Sequence, residues 1–220
     1  MMHATKQEIE AGQAVYTRRM LLIYDIRVLM LSNRFIWKCP SSRLLAHYNM
    51  HVSANHLDVG VGSGYFLDRC RFPAVSPRLA LMDMNPNSLA FTAKRIGRYS
   101  PEVYQQNILE RISCDIVPFD SIALNYLLHC LPGTLAEKGV VFDYLQPVMK
   151  PGATVFGSTI LNDKGVPGWS AAKLMGHYNR HGIFSNLADT LDGLQRALES
   201  RFQCVDIKTQ GCVALFSATL

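Results

Sequence analysis

The stretch Leu57-Asp58-Val59-Gly60-Val61-Gly62-Ser63-Gly64-Tyr65 constrains this chain more than any other. A short apolar run meets three glycines spaced G-x-G-x-G, and a helical pattern over 65–70 follows at once. Glycine takes backbone torsions that a Cβ forbids and lets another group approach the main chain closely. The open amides at the start of a helix then face that group. Strand, tight turn and helix in this order open a parallel α/β sheet, where ligands lie beyond the carboxyl ends of the strands. The dinucleotide fingerprint G-x-G-x-x-G wants a glycine where this chain has Tyr65, which argues against a nicotinamide oxidoreductase. On the glycines alone, a plain tight turn remains the rival reading.

The rest of the chain extends the alternation. Residues 79–82 form a second apolar strand ending at Asp83, and Asn85 caps a helix with Pro86 at its first position, running to about 98. Short strands are expected over 102–105, 121–128 and 154–160, with helices over 134–148, 169–178 and 187–200. Lys150-Pro151-Gly152 reads as a loop. The strands 203–208 and 212–218 flank Thr209-Gln210-Gly211, a hairpin signal, so the last strand is antiparallel to its neighbour. Residues 6–37 read as helix, ended by Cys39-Pro40, and Ser41 or Ser42 caps another to about 50. This first part lies outside the alternating pattern. It is expected to form a helical cap over 1–52 on a core over 53–220, the whole being one structural domain.

The residues at 57–64, 81–85, 118–122 and 145–152, with the strand that follows, resemble the class I S-adenosylmethionine-dependent methyltransferases over about three-quarters of the chain. The resemblance implies a Rossmann-like sheet of seven strands in the order 3-2-1-4-5-7-6 with the last antiparallel, and S-adenosylmethionine as cofactor. Asp58 then helps order the methionine amino group, and Gly60, Gly62 and Gly64 line the methionine and ribose part. Asp83 binds the ribose hydroxyls and Met84 packs on the adenine. Asn107 and Ile108 stand at the adenine edge, where Asn replaces the family's usual acid, and Asn125 faces the methionine end. The run Asn125-Tyr126-Leu127-Leu128-His129-Cys130-Leu131-Pro132-Gly133, with the short length, is similar to small bacterial and fungal methyltransferases of specialised metabolism.

The acceptor side is less legible. His129, at the expected end of the fourth strand, is the candidate general base, against the reading that it only hydrogen-bonds the loop or lines the cofactor site. Cys130 reads as a packing thiol, since methyl transfer needs no covalent enzyme intermediate. Trp169, His177, Tyr178, Asn179, Arg180, His181 and Phe184 suit either a small-molecule pocket or an ordinary amphipathic helix. Tyr16, Tyr24, Arg34, Phe35 and Trp37 sit on the cap, where Phe35 and Trp37 are expected to pack.

Composition excludes several classes. Hydrophobic residues make up 49% and charged residues 18%, which places the chain among folded globular proteins. The net charge of +5 is spread over scattered residues with no basic run, so no nucleic-acid partner is expected. The apolar stretch at 20–31 is interrupted by Asp25 and Arg27, and neither a membrane span nor a signal peptide is expected. Six cysteines without C-x-x-C spacing read as buried thiols of a reducing, cytoplasmic compartment, and no metal site is expected. The expected activity is methyl transfer to a small-molecule acceptor, at oxygen in a natural-product pathway. Methylation at nitrogen or carbon, or a ligand-binding or pericyclase role on the same fold, is the alternative. A homodimer is compatible with all of this.

Overall fold

A computed structural model describes residues 25–112, 115–163 and 168–220. Tyr16, Tyr24 and most of the first expected helix therefore lie outside the described residues. Asp25–Ile36 winds as a wide-turned π-helix, and α1 (Ser41–His51) follows. The alternating part runs β1 (Asn55–Val59), α2 (Tyr65–Arg69), β2 (Arg78–Asp83), α3 (Pro86–Arg95), β3 (Glu102–Gln105), β4 (Phe119–Asn125), α4 (Leu135–Lys138), α5 (Val140–Leu145), β5 (Met149–Ile160), α6 (Trp169–Arg180), α7 (Leu191–Glu199), β6 (Cys204–Gln210) and β7 (Val213–Thr219).

The strands form one seven-stranded sheet in the order β3-β2-β1-β4-β5-β7-β6. β1 to β5 are parallel, and β7 runs antiparallel to both β5 and β6. This is the expected order and the expected closing hairpin. The central strands are buried along nearly their whole length because helices cover both faces. Side chains alternate between those faces: Ala80, Met82, Ile122 and Leu124 join Phe142, Leu145 and Leu198 on one side. Leu79, Leu81 and Ala123 join Tyr48, Leu67 and Leu89 on the other.

α1 is bonded directly onto the sheet. A ring nitrogen of His47, Nε2, lies 3.0 Å from the Phe216 carbonyl, and Tyr48 is completely buried. Trp37 is also buried, against Phe184 and Met175, as expected, whereas Phe35 is exposed and does not pack.

Three local expectations are corrected. β4 ends at Asn125, not at residue 128, because Tyr126 takes a left-handed backbone (φ +56) and the chain turns into a single 3-10 turn, Leu128–Cys130. The helix expected over 134–148 breaks at Gly139 into α4 and α5, then tightens into a 3-10 turn at Gln146–Val148. Lys150-Pro151-Gly152 is absorbed into β5, where the pairing with β4 shifts register between Phe119 and Ser121. That irregularity leaves a place for a proline without an amide to donate. The start of α4 is a capping box, with Thr134 and Glu137 bonded to each other's end of the turn.

Candidate active site

The carboxyl ends of β1, β2 and β4 open on one cavity of about 150 Å³ that is continuous with solvent. All nine residues expected at a cofactor line it: Asp58, Gly60, Gly62, Gly64, Asp83, Met84, Asn107, Ile108 and Asn125. The parallel topology explains this. Each strand delivers its last residue and the following loop to the same edge of the sheet.

The glycine turn is held from behind. Gly60 N–H donates to the Met82 carbonyl at 2.8 Å, the Thr92 hydroxyl donates to the Gly62 carbonyl at 3.0 Å, and Arg95 donates to the Ser63 carbonyl at 2.9 Å. Gly62 (φ +50) faces open space, so a Cβ there would project away from the protein wall. Gly64 (φ +69) is different: a Cβ would come within 2.6 Å of Thr92 Cγ2. One glycine leaves the cavity free and the other lets α2 sit against α3.

Asp83 closes β2. Its Oδ1 accepts the Asn85 N–H at 2.8 Å, while Asn85 Oδ1 accepts the Asn87 N–H at 2.9 Å and caps α3. Burial pushes the Asp83 carboxyl up to about 6; the amides of Asn85, Gly62 and Val61 oppose that rise and the Asp58 charge adds to it. Asn107 starts the loop after β3 as an Asx turn, its Oδ1 accepting from Leu109 N–H at 3.1 Å and its Nδ2 donating to Glu110 at 2.8 Å. At the end of β4, Asn125 Oδ1 accepts the Ser158 hydroxyl at 3.0 Å, and its Nδ2 is buried with no hydrogen-bond partner among the described residues.

His129 is placed differently from the expectation. It lies in the 3-10 turn after β4, is 2% exposed, and is absent from the cavity wall formed by its neighbours Leu127, Cys130 and Leu131. The Ile160 N–H donates to His129 Nδ1 at 3.2 Å, which puts the ring proton of the neutral imidazole on Nε2. The ring packs edge-on against Phe184, with centroids 4.5 Å apart. Burial and the Lys138 cation hold it down to about 3. The imidazole thus bonds the end of β5 and stands behind the cavity wall rather than on it. Cys130 does line the cavity, with Sγ 3.7 Å from the Tyr126 carbonyl.

The segment after β5 supplies packing as well. Tyr178 and Phe184 meet edge-on with centroids 4.8 Å apart beside Trp37 and Tyr126, and Trp169 is exposed on the far end of α6. None of Trp169, His177, Tyr178, Asn179, Arg180, His181 or Phe184 lines the cavity. Sequence reasoning missed Gln106 and Ser88, which do line it; their only signal is proximity to the ends of β3 and β2. It also missed Tyr48, whose hydroxyl donates to Asp58 Oδ2 at 2.7 Å from a helix outside the motif.

No family model matches the chain. Individual proteins do. It is 37% identical over 217 residues to the demethylluteothin O-methyltransferase of Streptomyces thioluteus, covering 98% of this chain and 94% of that one. It is 34% identical to the physcion biosynthesis cluster O-methyltransferase of Aspergillus chevalieri, covering 95% of both. Among solved structures, the DhpI–SAH complex superposes with a TM-score of 0.71 over 99% of this chain and 98% of that one, at 12% identity. An O-methyltransferase family protein from Burkholderia thailandensis superposes with a TM-score of 0.68 at 17% identity, over 99% of this chain and 63% of that one. These two share the fold. With a cavity at the carboxyl edge of that fold and curated relatives matched end to end, the chain belongs to the class I S-adenosylmethionine-dependent methyltransferases that act on small molecules.

Proposed function

We propose that this methyltransferase acts on oxygen, at an acidic hydroxyl such as an enol or phenol of a neutral, largely apolar metabolite. The observation that carries the reading is the wall of the cavity. Apart from Asp58 and Asp83 at the ends of β1 and β2, no Asp, Glu, Lys, Arg or His among the described residues lines it. The remaining wall includes Tyr65, Phe66, Tyr126, Leu127, Leu131 and Pro132, which suits an uncharged aromatic or polyketide-like acceptor. With no further ionisable Asp, Glu, Lys, Arg or His of the described residues on that wall, an acceptor hydroxyl acidic enough to ionise by itself suits it. The bacterial and fungal relatives named as O-methyltransferases support oxygen as the acceptor atom.

The residues present fit S-adenosylmethionine. The open space at Gly62 admits a ligand against the backbone, and the Asn125 amide offers an unpaired donor at the end of β4. When bound, the cofactor supplies an electrophilic methyl group on a sulfonium. Asp83 accepts the two ribose hydroxyls on its carboxylate oxygens, and Met84 packs on the adenine. Asn107 and Ile108 border the adenine edge, where the Asn107 amide stays tied into its own turn. Asp58 holds the methionine ammonium, and Gly60, Gly62 and Gly64 let the chain approach the ligand. The apolar wall excludes water and aligns the acceptor oxygen, so the protein acts through orientation more than through acid–base chemistry. His129 takes no part in that step. Among the described residues no helix is long and apolar enough to cross a membrane, and we place the enzyme in the cytoplasm beside its methyl donor. We take neither nucleic acid nor membrane as a partner, and a homodimer is compatible with the reading.

The test uses isotopically labelled S-adenosylmethionine with phenols, aryl amines and carbon acids built on matched skeletons. Oxygen-bound labelled methyl, at a rate that rises with pH through the acceptor's own pKa, is expected. Labelled methyl on nitrogen or carbon, with the phenols untouched, would overturn the assignment to oxygen.

A further inference from the structure

We infer that Tyr48 is a positioning residue for the methyl donor: from α1, it holds the Asp58 carboxylate turned toward the ammonium group of S-adenosylmethionine. The inference rests on the proposed role of Asp58 and identifies what makes that carboxylate able to act.

The geometry is a row of buried polar groups leading to the cavity. Tyr48 is 0% exposed and its hydroxyl donates to Asp58 Oδ2 at 2.7 Å. The Tyr48 hydroxyl oxygen also lies 2.8 Å from His56 Nε2, and His56 Nδ1 lies 2.8 Å from Ser121 Oγ. A phenol has one proton. Because a carboxylate oxygen only accepts, Tyr48 gives it to Asp58, and the phenol oxygen sits between Asp58 and His56. Among the described residues, Tyr48 is the one side chain that donates a hydrogen bond to Asp58.

Asp58 needs that donor. It is 6% exposed, and it shares the sheet edge with the Asp83 carboxylate, whose pKa it raises. Enclosed among apolar side chains, its oxygens are turned by the one hydroxyl of the described residues that reaches them, and Tyr48 leaves Oδ1 free to face the cavity side. Tyr48 stays a donor, since burial and the Asp58 charge hold its own hydroxyl well above the usual phenol range. Its ring is fixed between Phe66, stacked at 5.6 Å, and Phe156, edge-on at 5.2 Å. Phe66 is itself part of the cavity wall, so α1 reaches the site through packing and through a hydrogen bond.

The test separates positioning from mere stability by using two ligands. S-adenosylhomocysteine carries the amino-acid arm; methylthioadenosine carries the adenosine and sulfur without it. Calorimetry on Tyr48→Phe, which keeps the ring and removes the hydroxyl, is expected to show S-adenosylhomocysteine weakened about tenfold. Methylthioadenosine should be unchanged within about twofold. Asp58→Asn should show the same selectivity, with little further loss when the two substitutions are combined. Equal weakening of both ligands by Tyr48→Phe would reduce Tyr48 to a packing residue, and no weakening of either would remove it from the site; each overturns the inference. An Asp58→Asn variant with normal S-adenosylhomocysteine affinity overturns the reading of Asp58 and the inference with it. Should Tyr48→Phe give no folded protein, His56→Gln leaves the ring in place, removes the imidazole that orients the hydroxyl, and carries the same comparison. The expected selective loss is then about threefold, and a ratio equal to wild type overturns the inference.

Discussion

Asp83, half-buried at the end of β2, is the residue through which pH would reach the proposed cofactor site. Its pKa of about 6 means that the free protein takes up a proton there as the pH falls through that value, chiefly because burial disfavours the charge. A ligand whose ribose hydroxyls need the ionised form must then displace that proton. Affinity for S-adenosylhomocysteine should be level above pH ~6 and fall up to tenfold per pH unit below it. Asp83→Asn should remove this inflection and weaken binding by about 1–3 kcal/mol at neutral pH through loss of a charge-assisted contact. Titration calorimetry across pH checks both. His129 gives the opposite lesson. A general base would be worth about 10²–10⁴ in rate, but this imidazole is neutral, enclosed, and has Nδ1 taken by the Ile160 amide. His129→Ala should cost about 1–3 kcal/mol of stability by leaving that amide unpaired, with turnover of the folded enzyme reduced by less than about tenfold. Equilibrium denaturation and steady-state rates across pH measure the two effects separately.

At the scale of elements, the site depends on where strands stop. β1 ends at Val59 and hands over to the glycine turn, β2 ends at Asp83 and hands over to the capped start of α3, and β4 ends at Asn125. The last of these endings is costly. Tyr126 holds a left-handed backbone that a residue with a Cβ adopts rarely. Its hydroxyl donates to Asn33 Oδ1 at 2.9 Å, and Asn33 Nδ2 donates to Ser41 Oγ at 3.0 Å. The bend after β4 is thereby tied to the π-helix and to the first turn of α1. The next turn directs Leu127 and Cys130 to the cavity and His129 away from it, a distinction set by three residues of 3-10 geometry.

At the scale of the molecule, residues 181–190 fasten the back of the acceptor side. Ser185 N–H donates to the His129 carbonyl at 2.8 Å, and Asn186 Nδ2 donates to the Ile160 carbonyl at 3.0 Å. Lys138, from α4, donates to the Ser185 carbonyl and to Asp189 Oδ2, the latter at 2.6 Å. Both charged side chains of this pair are fully buried, and burial drives Lys138 down and Asp189 up while each partner's charge resists. Removing one partner leaves an uncompensated buried charge. Lys138→Met alone should cost about 3–5 kcal/mol, whereas Lys138→Met with Asp189→Leu should recover most of it. Chemical denaturation of the two variants gives the comparison. An equal loss in both would show that the Ser185 contact, and not the ion pair, holds the loop.

What the sequence determined by itself was the part of the protein written in short-range patterns. The turn at Gly60-Val61-Gly62-Ser63-Gly64 and the acid at the end of the second strand announced the ligand edge. Their spacing, with Asn107 and Asn125 after later strands, was enough to collect nine residues around one cavity, because a parallel sheet brings strand ends together whatever covers its faces. The closing hairpin was equally local. Only the tertiary structure decided which polar side chains meet one another. Tyr48 and Asp58 are ten residues apart across a change of element, and nothing in the pattern of α1 says that a phenol will point at β1. The fate of His129 rested on the Ile160 amide and the Phe184 ring, 31 and 55 residues further along the chain. Periodicity reports which face of an element is apolar. The partner that satisfies a buried donor or neutralises a buried charge is chosen by packing between distant segments, and that choice separated the residues of the site from those that hold it in place.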